Sequence, residues 1–578
     1  MYNSFPEINI KNYQEVLQGY ESIIQKIKLE FKKASMNVIT IECYPTTNEK
    51  ELLENLIQPL KADYVIHADD FFFSATEITN QIQENLTEDR IFGVMSHQNM
   101  ADFIDYEKYT EFFEKVMLNK EQDKKVVIYG VGASLLYDLD VVIYADLARW
   151  EVQNRYRSGV FSNWKADNYG EDSLRMVKRG YFFEWPVADR LKRALFDKVD
   201  YFLDMHQEGQ PIMVDASSYQ KALEQVVQQP FRLVPYFDPG VWGGTWMQKN
   251  LGIDQDKPNL AWGFDGVPEE NSLYLKFGSA RMEIPANNVV FSHPIPLLGQ
   301  RVYGRFGAEF PIRFDFLDTV GGGNLSLQVH PLTGYAQEVF DSHYTQDESY
   351  YILEAEEDAT IYLGLKNGTD KDELMTALSQ AELGETSFPD EKYIYQRKVE
   401  KHDHYSIPAG TIHCGGSNAV VLEISATPNR FTFKLWDWGR LGLDGLPRPV
   451  HLDHGSANII ADRDANWVER ELVNPFEIIA EGKKWVEERT GLHETEFIET
   501  RRHTFSGDVI HETHGSVNVL NLVEGEEAVV ESLAGEFEPF VIHFGETFII
   551  PEMIKEYRIK PYGKSIGKEL KTIKAFVR

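Results

Sequence analysis

The hydrophobic pattern of this chain changes period near Gln228-Gln229-Pro230, and no other feature constrains its fold as strongly. Before that point, apolar runs such as Val38-Ile39-Thr40-Ile41, Tyr64-Val65-Ile66 and Val126-Val127-Ile128-Tyr129 alternate with charged stretches of helical spacing. Residues 49–60 are one such stretch, with Leu52, Leu53, Leu56 and Leu60 on one helical face. Strands alternating with helices predict a parallel α/β sheet. After that point, turn residues are dense and strands short, at 312–317, 325–329, 350–353, 360–363, 419–424 and 431–435. A helical patch at 371–381 interrupts this β texture, and short strands resume at 517–522, 528–531, 540–544, 547–550 and 573–577. The expected fold class is multidomain, α/β plus mainly β, with an α/β domain over 1–230 and β domains over 231–490 and 491–578.

Length and composition agree with this division. At roughly 100–200 residues per domain, 578 residues predict three to four domains. The 13% aromatic content marks a globular chain with rings to bury. No window approaches ~18 uninterrupted apolar residues, and the N-terminus lacks a basic start and an apolar core, so no membrane span or secretory signal is expected. Lys+Arg number 58 and Asp+Glu 91, a formal charge of 58 − 91 = −33, which argues against nucleic acid as a partner. A small anionic substrate responds to local charge and stays open. The two cysteines, Cys43 and Cys414, fit a reducing cytoplasm and cannot build a thiolate zinc site.

Any metal must then use His, carboxylate or amide ligands. In Leu325-Ser326-Leu327-Gln328-Val329-His330-Pro331, strand alternation puts Gln328 and His330 on one face and Leu327 and Val329 on the other. Glu348 enters the aromatic strand Tyr350-Tyr351-Ile352-Leu353, and His413 follows a Pro-Ala-Gly turn. Two imidazoles, one carboxylate and one amide oxygen suit a divalent ion of intermediate softness, zinc first, with positions left open for substrate. His402-Asp403-His404 has a spacing that brings imidazoles together but flanks no strand of this set, so it is expected to be solvated; His451 and His454 lie nearby in sequence. Cys414 is expected to be a packed small residue.

These residues resemble the type I mannose-6-phosphate isomerases, which are cupins. The likeness runs from Pro235-Tyr-Phe-Asp-Pro-Gly-Val-Trp-Gly-Gly244 through Phe310–Asp318, Leu325–Pro331, Glu348–Gly364 and Pro408–His413 to Leu435–Gly445, about residues 230–455. It implies one Zn²⁺ per chain on Gln328, His330, Glu348 and His413. It also implies interconversion of mannose 6-phosphate and fructose 6-phosphate through a cis-enediol. The family's arginine after the last histidine is Lys434 here, with Arg430 and Arg440 close by, and two further family lysines are replaced by Asp315 and Gln346. Arg313 shares a strand face with Asp315 and is placed to restore the charge. Lys434 and Arg430 are the expected catalytic cations, and Ser326 and Arg440 the expected contacts to a sugar phosphate. The alternative is a non-catalytic sugar-phosphate-binding cupin that kept the metal. Oligomeric state is not readable.

Residues 20–200 resemble uridine-kinase-like P-loop kinases in the order of their motifs, through Ile39–Leu52, Asp69-Asp70 and Gly130-Val131-Gly132. A working phosphate loop needs glycines, lysine and a hydroxyl. Here Cys43, Thr46 and Asn48 replace the glycines, Glu49 the lysine and Lys50 the hydroxyl, which implies a degenerate kinase-like domain kept for structure or docking. The C-terminal stretches Val517–Gly525 and Phe544–Pro551 resemble a second cupin half. Its histidines, His503, His511, His514 and His543, do not repeat the ligand pattern and are expected to pack against the first barrel.

Overall fold

The computed structural model describes residues 2–33, 37–121, 124–137, 140–491 and 493–578. The chain divides into two compact units. One comprises Glu7–Gln225 and Ser272–Ser292; the other comprises Met1–Pro6, Val226–Asn271 and His293–Arg578. The sequence-based division differs in three respects: Met1–Pro6 belongs to the C-terminal unit, residues 272–292 return to the N-terminal unit, and 231–490 and 491–578 share one unit. The return has a simple cause. Strand Ser272–Phe277 pairs in parallel with Glu7–Asn9 and closes a hairpin with Ala280–Pro285. Gly278, at φ +63°, turns that hairpin in a conformation that favours glycine.

The first unit is built on a seven-stranded sheet in the order Val16–Gln18, Ile212–Asp215, Tyr201–Asp204, Val141–Asp146, Val38–Cys43, Val126–Gly130 and Tyr64–His67. The last five run parallel; Ile212–Asp215 is antiparallel to them at one edge, and Val16–Gln18 pairs antiparallel with it and so runs with the five. Val38–Cys43, Val126–Gly130 and Val141–Asp146 are buried throughout, as near-continuous apolar runs in a covered parallel sheet must be. Val38–Cys43 is central, and the chain leaves it first toward one edge and later toward the other. The loop after it therefore lies where strand order reverses.

The second unit holds two antiparallel β-sandwiches. In the first, a six-stranded sheet runs His404–Ile407, Glu348–Ala355, Ala419–Ala426, Ile312–Asp318, Trp262–Gly266 and Tyr236–Asp238. Its partner sheet runs Ile394–Lys398, Thr360–Leu365, His413–Gly415, Leu327–Val329 and Phe433–Trp436. The expected helix at 371–381 spans Lys371–Glu382 and is capped by Asp370, whose side chain accepts from the N–H groups of Asp372 and Glu373. The second sandwich pairs a six-stranded with a four-stranded sheet around Phe505, Leu520, Leu522, Val530, Phe548 and Ile559. Among the described residues, no helix is long and apolar enough to cross a membrane.

Candidate metal centre

The centre starts from one short strand. Leu327 and Val329 of Leu327–Val329 are fully buried, and Gln328 faces the other way. Across the sheet Gln328 is paired with His413 on one side and with Lys434 on the other, so these three side chains share a face. Glu348 comes from the opposing sheet, at the start of Glu348–Ala355. Its Oε1 lies 2.8 Å from His413 Nε2 and its Oε2 3.2 Å from His330 Nε2. Among the described residues, His330, Glu348 and His413 are the group whose donor atoms, all within 4.8 Å of one another, could hold a metal ion.

The surroundings fit such an ion. His330 Nδ1 is 3.2 Å from the Phe431 carbonyl and His413 Nδ1 is 2.9 Å from the Thr411 carbonyl. A carbonyl can only accept, so each Nδ1 carries the proton and each Nε2 presents its lone pair inward. His330 Nε2 and Glu348 Oε1 are buried without a hydrogen-bond donor, which a shared cation would correct. Gln328 Nε2 stands 3.1 Å from His413 Nε2, and turning the amide over presents Oε1 at the same point. Burial opposes ionisation of Glu348, but positive charge at His330 and His413, which a metal ion would supply in place of Nε2 protons, holds the carboxyl well below its usual range.

Behind the centre lies a carboxyl pair. Gln346 Nε2 donates to Glu348 Oε2 and to Glu423 Oε1, each at 3.0 Å. Glu423 is the cross-strand neighbour of Asp315. Burial, then the Asp315 and Glu348 charges, push the Glu423 carboxyl well up, while burial raises Asp315 to about 6. Arg313 is spent locally, its Nε 3.1 Å from Asp315 Oδ1. It balances Asp315, so the pair adds no net charge.

On the solvent side, Lys434 lies among guanidiniums. Burial and the nearby charge of Arg448, joined by Arg430 and Arg440, lower its ammonium to about 7, against the pull of Asp437. Arg440 is 2.5 Å from Asp437 Oδ1 and donates to the Asn324 carbonyl at 2.7 Å. Arg448 pairs with the other Asp437 oxygen and reaches Ser326 Oγ at 3.5 Å. Lys434, Ser326 and Arg440 thus gather in one region, with Arg430 close enough to act on Lys434. Arg448 was missed in the sequence reading; its signal is its setting between Pro447 and Pro449, which stiffens the backbone beneath it.

One expectation is corrected. The His402–His404 segment is not solvated: His404 is fully buried, with its nitrogens 2.9 Å from Ser349 Oγ and 3.0 Å from Thr490 Oγ1. His402 bonds Tyr351 Oη at 2.8 Å and Glu524 at 3.2 Å. Both sit where the two sandwiches of the second unit meet, a contact that local spacing does not reveal. Cys414 is a buried thiol, as is Cys43. His454 bonds Tyr335 Oη at 2.7 Å, outside the ligand set.

In the first unit, the segment after the central strand is closed on itself. Asn48 accepts from the Glu51 N–H, Glu49 Oε2 is 2.6 Å from His67 Nε2, and Arg155 Nη1 donates to the Thr46 carbonyl at 2.8 Å. Lys50 is exposed. The carboxylates of Glu49 and Asp69 make the spot acidic.

Residues 19–228 match a family described as a domain of unknown function (DUF8485). Mannose-6-phosphate isomerase ManA of Bacillus subtilis (strain 168) is 24% identical over 350 residues, 59% of this chain and 99% of that protein. The mannose-6-phosphate isomerase of Streptococcus mutans serotype c (strain ATCC 700610 / UA159) is 21% identical over 333 residues, 57% of this chain and 95% of its own. Among solved structures, the mannose 6-phosphate isomerase from Bacillus subtilis shares 20% identity at a TM-score of 0.49, covering 60% of this chain and 99% of that one. Over about three-fifths of its length, then, this chain is similar to proteins named mannose-6-phosphate isomerases, and the remainder is not covered by them.

Proposed function

We propose that this chain is a zinc-dependent aldose–ketose isomerase that interconverts mannose 6-phosphate and fructose 6-phosphate. The observation that carries the reading is the register His413–Gln328–Lys434, which sets the metal ligands one strand away from a cluster of cations. The similarity to the mannose-6-phosphate isomerases over three-fifths of the chain supports it. Gln328, His330, Glu348 and His413 would hold the ion, which when bound supplies a Lewis acid for the carbonyl and hydroxyl oxygens of the sugar.

The remaining work falls to the chain. In a protein of net charge −33, Arg440 and Arg448 meet on one carboxylate, Asp437, beside Lys434, so cations outnumber anions locally. A phosphate dianion suits such a cluster. Ser326, Arg440 and Arg448 grip the phosphate, and Lys434 and Arg430 offset negative charge that develops on the sugar oxygens as the proton moves between C1 and C2. The burial of His330, Glu348 and His413 keeps bulk water from the enediol.

The test is a coupled assay of fructose 6-phosphate formed from mannose 6-phosphate, with and without a chelator. Turnover that chelation abolishes and Zn²⁺ restores is the expected result. Metal binding without turnover supports the second reading, a sugar-phosphate-binding protein, which Asp315 and Gln346 favour by standing where the related enzymes carry lysines. For the first unit we propose a kinase-like fold that no longer binds nucleotide, since the carboxylates of Glu49 and Asp69 repel phosphate. Saturable binding of ATP at millimolar levels overturns that assignment.

A further inference from the structure

The turn Pro408–Thr411 touches two of the three charged-site ligands through the backbone. Its Gly410 N–H donates to the His330 carbonyl at 3.0 Å, and its Thr411 carbonyl accepts from His413 Nδ1 at 2.9 Å. A third link comes from the residue beside Glu348: the Ala409 N–H donates to Asp347 Oδ1 at 2.8 Å. Whatever fixes this turn therefore fixes His330, Glu348 and His413 against one another.

Arg463 does so. It sits on a loop more than twenty residues past Phe433–Trp436, the last strand of the first sandwich's metal-bearing sheet, yet its Nη1 reaches three oxygens of the turn. It donates to the carbonyls of Pro408 at 2.8 Å and Ala409 at 2.6 Å and to Thr411 Oγ1 at 2.5 Å. Thr411 Oγ1 in turn donates to the Pro408 carbonyl at 2.7 Å. The guanidinium is itself held in place over the Trp467 ring, 5.1 Å from its centroid. A planar, permanently charged donor group suits this task, because it can serve several acceptors without rotating.

We propose that Arg463 is a positioning residue for the metal centre: through the turn Pro408–Thr411 it sets the orientation of His413 and the spacing of His330 and Glu348. This rests on the metal-dependent reading above. Outer partners of metal ligands typically govern affinity by about 10–100-fold, and Arg463 should act in that range without touching the ion or the sugar.

The experiment titrates Zn²⁺ alone into the metal-free full-length chain against a competing chelator, and follows the visible absorption of the Co²⁺-loaded form. Arg463→Ala should weaken Zn²⁺ by about 10–100-fold and shift the Co²⁺ bands. Arg463→Lys, which keeps one donor, should recover part of the loss. Thr411→Val, which keeps the backbone, provides a milder variant if Arg463→Ala does not fold, and should weaken Zn²⁺ in the same direction. Wild-type Zn²⁺ affinity and Co²⁺ bands in the folded variants, with only a lower melting temperature, overturn the positioning role while leaving the metal reading intact. A wild-type chain that binds no Zn²⁺ overturns both.

Discussion

His330 and His413 each give their Nδ1 proton to a main-chain carbonyl, so their tautomers are set before any metal arrives. That is a residue-scale device. The cations outside the ligand set act differently. Arg448 bonds Asp437 and reaches Ser326, and in the proposed enzyme it meets the phosphate. A charged hydrogen bond is worth about 1.5–3 kcal/mol, or roughly 10–100-fold. Arg448→Ala should therefore raise KM for mannose 6-phosphate by about that factor with a smaller change in kcat, measured by steady-state kinetics. An unchanged KM would remove Arg448 from the phosphate site.

At the scale of the element, the turn Pro408–Thr411 depends on Gly410. Its φ is +86°, where an L side chain is strained. A Cβ added there would stand 2.9 Å from both Ile460 Cδ1 and Leu332 Cδ2 and 3.0 Å from the Asn458 carbonyl oxygen. Strain and crowding together predict that Gly410→Ala destabilises the second unit by about 1–3 kcal/mol. Thermal unfolding of the metal-free chain reads this directly, and a melting temperature equal to wild type would contradict it. The parallel strands of the first unit illustrate the opposite case, in which local pattern is sufficient. Val38–Cys43 and Val126–Gly130 need no special residue, since an apolar run buried on both faces admits few other structures.

Across the whole molecule, buried neutral histidines set a limit on acid tolerance. Burial, aided by Arg502, lowers His404 to about 3; burial lowers His402 and His503 to about 4; and His511 is also driven well down. These values lie below that of an unfolded histidine, about 6.5. Between that pH and about 3 to 4, the unfolded chain binds protons that the folded chain refuses, so stability falls as pH falls through this window. His404 alone accounts for a few kcal/mol, on the order of 1.4 kcal/mol per unit of pH. The variant His404→Gln should flatten the decline between pH 6 and 4 in denaturant titrations. A decline as steep as wild type would show that His404 does not stay neutral.

How far the sequence reaches is clear from particular residues. Alternation in Leu327-Gln328-Val329 makes one face apolar and one polar, a statement about neighbours along the chain, whereas Gln328, His330, Glu348 and His413 are expected together as ligands because of the resemblance to the isomerases. Arg448 and Arg463 were not legible, since each acts on a partner remote in sequence, at Ser326 and at the turn 408–411. His404 read as solvated because nothing beside it announces Thr490. The segment 272–292 reads as part of the β region until its pairing with Glu7–Asn9 is known. Period and composition by themselves determined the kinds of element and the chemistry of the ligands, because both follow from local sterics and side-chain type. Tertiary structure alone decided which of the 16 histidines converge, which are buried and which cations gather, because those depend on distances that only packing establishes.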